Sequence, residues 1–493
     1  MVKIGILELL ILFLFKDING LKEETIKIKF KTLKFSDEKI RNLFNINNNL
    51  NNNDYTSYEE KYFYYDLILN NIYSEILIGS PAQKIIGFYS GKSDIFSLTN
   101  DKCFIRSSNY DRMISNTFNN ISDFNIYYKE YENCCFAQEK FEFESYDNNN
   151  KIVFNNLKFF LTNDKGKNKN ICALIGLRLN YQDMFIENPK NFIYYIIQYY
   201  NNNNQKLNSF YWTFNYQNNN EGYLSIGDPP HIYDSLNYKN KKFNEFNIQA
   251  RYSTLNWAIQ FKQIFLNKGN ENIFLKKYSE GHNCVFYPEL NIILSTIDYF
   301  NLIKKNFFTK FFNENICFIK NVFISDINST IIKGLSGEYI LFYCDRNKLR
   351  EYDINKFYNE FPTLNFYFNL FNYNFTLNAS DLFYEDEINN KIFFLIGNKK
   401  NEIDQWIFGK IFMKKFQFVF NTEMKTLGYY TENNKNNDIK RRYLNNINYK
   451  NILVLIIVVI LFMFVVGFFV YKYRKGFFKE GNNIALEMEL IKK

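Results

Sequence analysis

The sequence predicts an all-β body with few short helices, followed by one C-terminal transmembrane helix. Three observations carry this. From about Lys61 to Tyr430, short β-branched and aromatic runs such as SEILIGS, KIVFNNLKFFL, GYLSIGD, YILFY and LNFYFNLF alternate with Asn, Asp and Gly clusters. That is the rhythm of strands joined by turns. Helical periodicity is sparse by comparison. Its best stretch is 295–312 (STIDYFNLIKKNFFTKFF), with a Ser or Thr available as cap. Finally, the run from Ile452 to Val470 is uncharged and apolar apart from Gly467. Nineteen helical residues at about 1.5 Å each reach roughly 29 Å, the thickness of a hydrocarbon core.

The chain start supports a membrane or secretory setting. Lys3 precedes an apolar run, Ile4 to Phe15, which is too short to span a bilayer and is read as a secretory signal, with Glu8 as its one charged interruption. Lys472, Arg474, Lys475 and Lys479 follow the apolar segment closely, while Lys440, Arg441, Arg442 and Lys450 precede it. The charge rule alone is therefore ambiguous. The signal sequence decides the expected orientation: a single-pass type I protein of the secretory pathway or cell surface, its body lumenal or extracellular.

Composition bounds what the body does. Of 493 residues, 46% are hydrophobic and 23% charged, enough for a sizeable core. Aromatics reach 20%, Asn and Lys are frequent, and Pro numbers only 6. So uniform a bias robs any single Tyr, Asn or Lys of meaning. The net charge is +9, but the lysines are spread along the chain, so a solvated surface is expected and not a nucleic-acid partner. The seven cysteines are Cys103, Cys134, Cys135, Cys172, Cys284, Cys317 and Cys344. An odd number leaves at least one outside any intrachain bridge. The absence of a C-x-x-C pair argues against a structural zinc site, and no metal or other cofactor is expected. Glycosylation sequons stand at Asn120, Asn328, Asn374 and Asn378.

The expected organisation is a signal peptide (1–20), an Asn-rich region (21–61) holding one alternating strand, IKIKFKTLK, and a β-rich body. A polar stalk (433–451), the membrane span (452–470) and a cytosolic tail (471–493) follow.

Several segments of the body, in order, resemble pepsin-like aspartic proteases. The stretch 76–98 (ILIGSPAQKIIGFYSGKSDIFSL) is similar to the family's first active-site segment. Gly79, Pro81, Gln83, Phe88, Gly91 and Ser93 fall in place, with Tyr89 on the aspartate and Ser90 on the threonine. Residues 124–136 (FNIYYKEYENCCF) resemble the flap hairpin, Tyr128 matching its tyrosine, although Lys129, Tyr131 and Cys135 stand where glycines are expected. CALIGL (172–177) resembles D-G-I-L-G-L and keeps Gly176. Residues 210–228 look like the start of the second lobe. CVFYPELNIIL (284–294) lies where the second D-T-G-T-S would be, with Tyr287 on the aspartate and Pro288 and Glu289 on the Thr and Gly. Residues 407–430 are similar to the last segment, with Gly409, Phe412, Val419, Phe420 and Gly428 in place and Lys410 departing from Asp.

The resemblance implies a bilobal fold, with an N-terminal lobe over 62–208 and a C-terminal lobe over 209–432. It makes 21–61 pro-segment-like. It also implies a Cys317–Cys344 disulfide; Cys103 lacks the near partner the family often has, for which Cys134 or Cys135 could substitute, and the pairing of Cys103, Cys134, Cys135, Cys172 and Cys284 stays open. The register at Tyr287 is less fixed than at Tyr89, because the glycine that shapes the turn is gone.

The family's chemistry needs two carboxylates sharing a proton. A phenol, with an ordinary pKa near 10, leaves at most about one group in 10³ ionised at pH 7 and cannot supply the base. Asp94 and Glu289 are read as solvated or locally bonded carboxylates. His282 and Cys284, two apart on one strand, are read as packing residues and not as a nucleophile pair. The expected function is a pseudoprotease whose cleft, near Gly91, Ser93 and Tyr128, holds an extended peptide or protein. An active endopeptidase and an adhesive surface protein are the alternatives.

Overall fold

The alternation in IKIKFKTL shows how the body is assembled. Ile26, Ile28 and Phe30 point inward and are buried. Lys27, Lys29 and Lys31 point outward to Asp147, Glu144 and Glu75. The strand Ile26–Leu33 is not an edge. It pairs antiparallel with Glu221–Gly227 on one side, from Ile26↔Ile226 to Lys31↔Glu221, and with Asn71–Ile78 on the other. The one strand expected within the Asn-rich region 21–61 is thus interior sheet.

The computed structural model describes residues 25–37, 55–99, 110–121, 126–128, 131–147, 150–162, 173–179, 190–203, 207, 209–248, 256–269, 271–275, 281–324, 335–400 and 405–432. All lie in one compact unit within Met1–Asn433. Among them, strands form sheets of 14, 9 and 4 members. The largest runs from Lys241–Asn247 through Thr426–Glu432, Val419–Asn421, Tyr211–Tyr216 and Glu221–Gly227 to Ile26–Leu33. It continues through Asn71–Ile78, Gln83–Ser90, Ala173–Gly176 and Phe96–Thr99 into the long Lys151–Thr162 and Tyr131–Glu144 strands. Strands from before and after residue 209 therefore share one sheet. The 9-stranded sheet holds His282–Phe286, Trp406–Phe408 and Gly337–Asp345. The mostly-strand, barrel-like architecture with few helices is consistent with the pepsin-like fold expected from the sequence.

The expected helix over 295–312 is present as one continuous stretch: Ile297–Ile303, a π-helical turn Lys304–Phe308, then Thr309–Asn313. Thr296 occupies the cap position, but its side chain makes no capping bond. A second helix, Tyr55–Ile68, was not legible, and it crosses the expected start of the N-terminal lobe at residue 62. It is stitched to both sides. Asp66 accepts from the backbone N–H groups of Phe35 (2.6 Å) and Ser36 (2.8 Å), clamping the end of the first strand. Tyr64 meets Phe393 edge-on at 5.8 Å, and Glu60 pairs with Lys320.

The hydrophobic core is strongly aromatic, as the composition requires. Trp212 and Phe420 stack at 4.3 Å, and Trp257 meets both edge-on. Offset and edge-on ring pairs of this kind add modestly to the large burial energy of each ring. The Cys317–Cys344 disulfide is formed, as the resemblance implied, across the paired strands Cys317–Ile324 and Gly337–Asp345. Cys135 and Cys284 are buried free thiols; burial pushes the first up to about 11 and the second well above the ordinary value. Cys103 and Cys172 lie outside the described residues, as do the signal-like start, the stalk and the 452–470 segment. Among the described residues no helix is long and apolar enough to cross a membrane.

Candidate active-site seam

Two strand–turn units lie at the centre, and they repeat each other at a fixed offset of 197 residues. In the first, Gln83–Ser90 runs parallel to Ala173–Gly176, with Ser90 opposite Gly176. In the second, His282–Phe286 runs parallel to Trp406–Phe408, and Tyr287 N–H donates to Phe408 C=O, which sets Tyr287 opposite Gly409. Each glycine is required by close approach. A Cβ on Gly176 would lie 2.2 Å from Ile95 O and 2.7 Å from Ser93 O. A Cβ on Gly409 would lie 2.3 Å from Ile292 O and 2.4 Å from Leu290 O. Ile95 matches Ile292 and Ser93 matches Leu290 at that same offset, which makes Ser90 the counterpart of Tyr287.

Tyr89 and Tyr287, expected at equivalent positions, are therefore one residue out of register with each other. Along a strand successive side chains face opposite sides, so a shift of one residue exchanges core for site. Tyr89 faces the core and matches Phe286. Its hydroxyl shares a 2.8 Å hydrogen bond with Ser74 Oγ, and its ring meets Phe214 edge-on at 5.5 Å. Burial pushes its phenol well above the ordinary range, so it stays neutral. Tyr287 is nearly buried, with Lys92 Nζ 4.8 Å from its ring centroid, a cation–π distance.

Glu289 is the feature the sequence reading underrated. It was read as a local carboxylate, yet its partners lie almost 200 residues away. Oε2 accepts from Gly91 N–H at 2.9 Å; Oε1 accepts from Ser90 Oγ at 3.1 Å and Lys92 N–H at 3.2 Å. Successive backbone N–H groups make an anion-binding cup, and here it is filled by the chain itself. The carboxyl is buried, and burial raises its pKa against the opposing pull of these donors and the Lys92 charge. Gly91 cannot grow a side chain at this junction, because a Cβ would meet Pro288 Cδ at 2.6 Å. Asn70 and Asn291 complete the seam. Asn70 donates through N–H to Glu289 O and through Nδ2 to Pro288 O, both at 2.7 Å. Asn291 donates to Ile68 O, Asp66 O and Leu69 O.

The remaining expected residues fall around this seam or away from it. Ser93 lies in the same loop, its Oγ 3.4 Å from Ile95 O. Tyr128 ends the short strand Ile126–Tyr128, which pairs antiparallel with Tyr131–Glu144 and sets Tyr128 opposite Tyr131. Asn120, Asn374 and Asn378 are exposed, whereas Asn328 lies outside the described residues. His282 and Cys284 do not form a nucleophile pair. His282 Nε2 bonds Tyr299 OH at 3.0 Å, Cys284 Sγ lies 3.8 Å from His282 O, and burial lowers the imidazole to about 4. Lys410, where the family would place Asp, is buried at the start of helix Lys410–Phe416. Its Nζ donates to Asn219 O at 3.2 Å and lies 4.8 Å from the Tyr216 ring centroid, and burial lowers it to about 8. Among the described residues no cluster of His, Cys, Asp and Glu could hold a metal ion.

Chemically, the matched positions Ser90 and Tyr287 carry a hydroxyl and a phenol, and the loop after Ser90 holds one carboxyl, that of Glu289. That carboxyl has both oxygens engaged by donors, so it acts as a clasp and is poorly placed to activate water. The signal that could have found it is the repeat itself: counting back from Ile175-Gly176 and Phe408-Gly409 gives Ser90 and Tyr287 without reference to any motif.

Residues 318–431 match the family model of the eukaryotic aspartyl proteases. The matched stretch contains the disulfide's second strand, the Phe408–Gly409 turn and the closing strands, but neither Ser90 nor Tyr287. No curated protein matches the chain.

Proposed function

We propose that this chain is a membrane-anchored, pepsin-like protein without proteolytic activity, which holds an extended peptide or protein segment between its lobes. The observation that carries this reading is that neither matched pair at the turn, Ser90 with Tyr287 or Tyr89 with Phe286, holds a carboxyl. General acid–base hydrolysis by this family's route needs an ionised and a protonated carboxyl facing one water. A serine hydroxyl and a phenol are both far too weakly acidic to serve as that base near neutral pH. Loss of a catalytic constellation in other hydrolases costs on the order of 10⁶ in rate. The match to the protease family supports the fold and leaves the competing reading, an active endopeptidase, to be tested directly.

The test uses the full chain in detergent, incubated with an extended-peptide library between pH 3 and 7. The expected result is no cleavage that a transition-state peptide mimic can block, together with saturable binding of some extended peptides. Binding should weaken in Tyr128→Ala at the flap, with the melting temperature unchanged. Reproducible, mimic-sensitive cleavage would refute the proposal. Absence of any saturable binding would leave the adhesive or structural role.

A further inference from the structure

We propose that the elbow formed by residues 230–242 rests on a phospholipid surface, its lysines contacting headgroup phosphates and its apolar tips entering the acyl boundary. The elbow consists of two short helices, Pro230–Tyr233 and Ser235–Tyr238. Ile232 is 54% exposed and Leu236 87% exposed. They do not fold back, because the elbow is pinned from beneath. Tyr238 packs on Tyr430 at 4.5 Å, His231 on Phe243 at 4.9 Å, and the Tyr430 hydroxyl bonds both His231 N–H and Nδ1. Lys239 and Lys242 are exposed, and Lys241 Nζ lies 4.9 Å from the Tyr238 ring centroid. Asp234 is the only carboxylate within 230–242. Lysines on this strand also blunt an exposed sheet edge, since Lys241–Asn247 ends the 14-stranded sheet. Edge protection does not explain a leucine and an isoleucine held outward beside them.

What selects a membrane as occupant is where the chain leaves the body. Lys241 is paired with Glu432 at the end of the last strand, so the chain runs out at this elbow. Nineteen residues, 433–451, then precede the apolar run that starts at Ile452. Fully extended, nineteen residues reach at most about 63–68 Å. The covalent connection thereby tethers the elbow within that reach of whatever surface Ile452 enters. Apolar tips flanked by tyrosines and lysines suit the headgroup boundary, where aromatic rings sit and lysine stems reach phosphate. This inference rests on the reading of 452–470 as a membrane span.

The experiment places a genetically encoded solvatochromic amino acid at Leu236, or at Met424 as control, in the full chain reconstituted into phosphatidylcholine vesicles containing phosphatidylserine. Met424 is 66% exposed and lies beyond the opposite end of the Thr426–Glu432 strand, about 20 Å away along its axis. Lipids brominated on the acyl chain should quench the probe at 236 several-fold more than at 424. Lys239→Glu with Lys242→Glu should bring quenching at 236 down towards the control. Equal quenching at both sites in an inserted chain, or a 236 probe open to an aqueous quencher, would overturn the docking proposal alone. A chain removed from vesicles by an alkaline wash would overturn the span, and the docking with it.

Discussion

Replacing Glu289 tests whether the seam is a clasp. In Glu289→Ala, Gly91 N–H and the Ser90 hydroxyl lose their acceptor in a buried site, while Lys92 N–H retains Ser90 Oγ at 3.2 Å. Two stranded donors at about 1–3 kcal/mol each, together with the small cavity, put the loss at about 3–5 kcal/mol. Glu289→Gln keeps one accepting oxygen but turns an amide N–H₂ towards a donor, so it should cost less, about 1–2 kcal/mol at low pH. The pH dependence supplies the sharper criterion. Burial raises the folded pKa of this carboxyl above its unfolded value near 4.3. Its stabilising contribution is then fully present below the unfolded pKa and declines as pH rises through the folded one. The stability gap between wild type and Glu289→Gln, read by urea denaturation from pH 4 to 8, should therefore narrow as pH rises. A gap that is constant, or that widens with pH, would refute the assignment of a destabilised buried carboxylate. A double-mutant cycle with Ser90→Ala should show positive coupling, since the two side chains share one bond.

Other consequences follow from the same geometry. His282 is held neutral at about 4 by burial, so its contribution is present above pH 6.5 and is lost as pH falls towards 4. His282→Gln should flatten the acid limb of the stability curve by up to about 3 kcal/mol. Replacing both Cys317 and Cys344 by Ser opens a 27-residue separation and should cost about 3–4 kcal/mol by the chain-entropy argument, read as a lower midpoint in non-reducing denaturation. Asp66→Ala removes the acceptor for Phe35 and Ser36 N–H and should destabilise by about 2–3 kcal/mol, with faster amide exchange at those two positions.

Much of the fold was legible because strand alternation survives compositional bias. Ile26, Ile28 and Phe30 against Lys27, Lys29 and Lys31 is unambiguous even in a lysine-rich chain. Gly176 and Gly409 were legible for a different reason: each sits where a Cβ would strike backbone oxygens, which no neighbouring substitution can relieve. The helix Tyr55–Ile68 was missed because its aromatic residues recur on every face, leaving no polar stripe to mark a period. The one-residue slip between Tyr89 and Tyr287 was not legible because each segment matches its motif locally, while the relative register is set by pairing with strands that lie far along the chain. Glu289 was misjudged for a related reason. A carboxylate in place of a turn glycine looks local until the opposite loop is seen to supply its donors.

The interior position of the first strand sets a timetable for the chain. Ile26 must wait for Ile226 before its ladder can close. At synthesis rates of about 5–20 residues per second, the roughly 200 residues that separate them take about 10–40 s to emerge. During that interval a strand with one apolar face and three lysines on the other has no partner on its Glu221–Gly227 side. The lysines keep such a segment soluble and discourage stacking with copies of itself. The alternation that first identified the strand is thus also its protection while it waits.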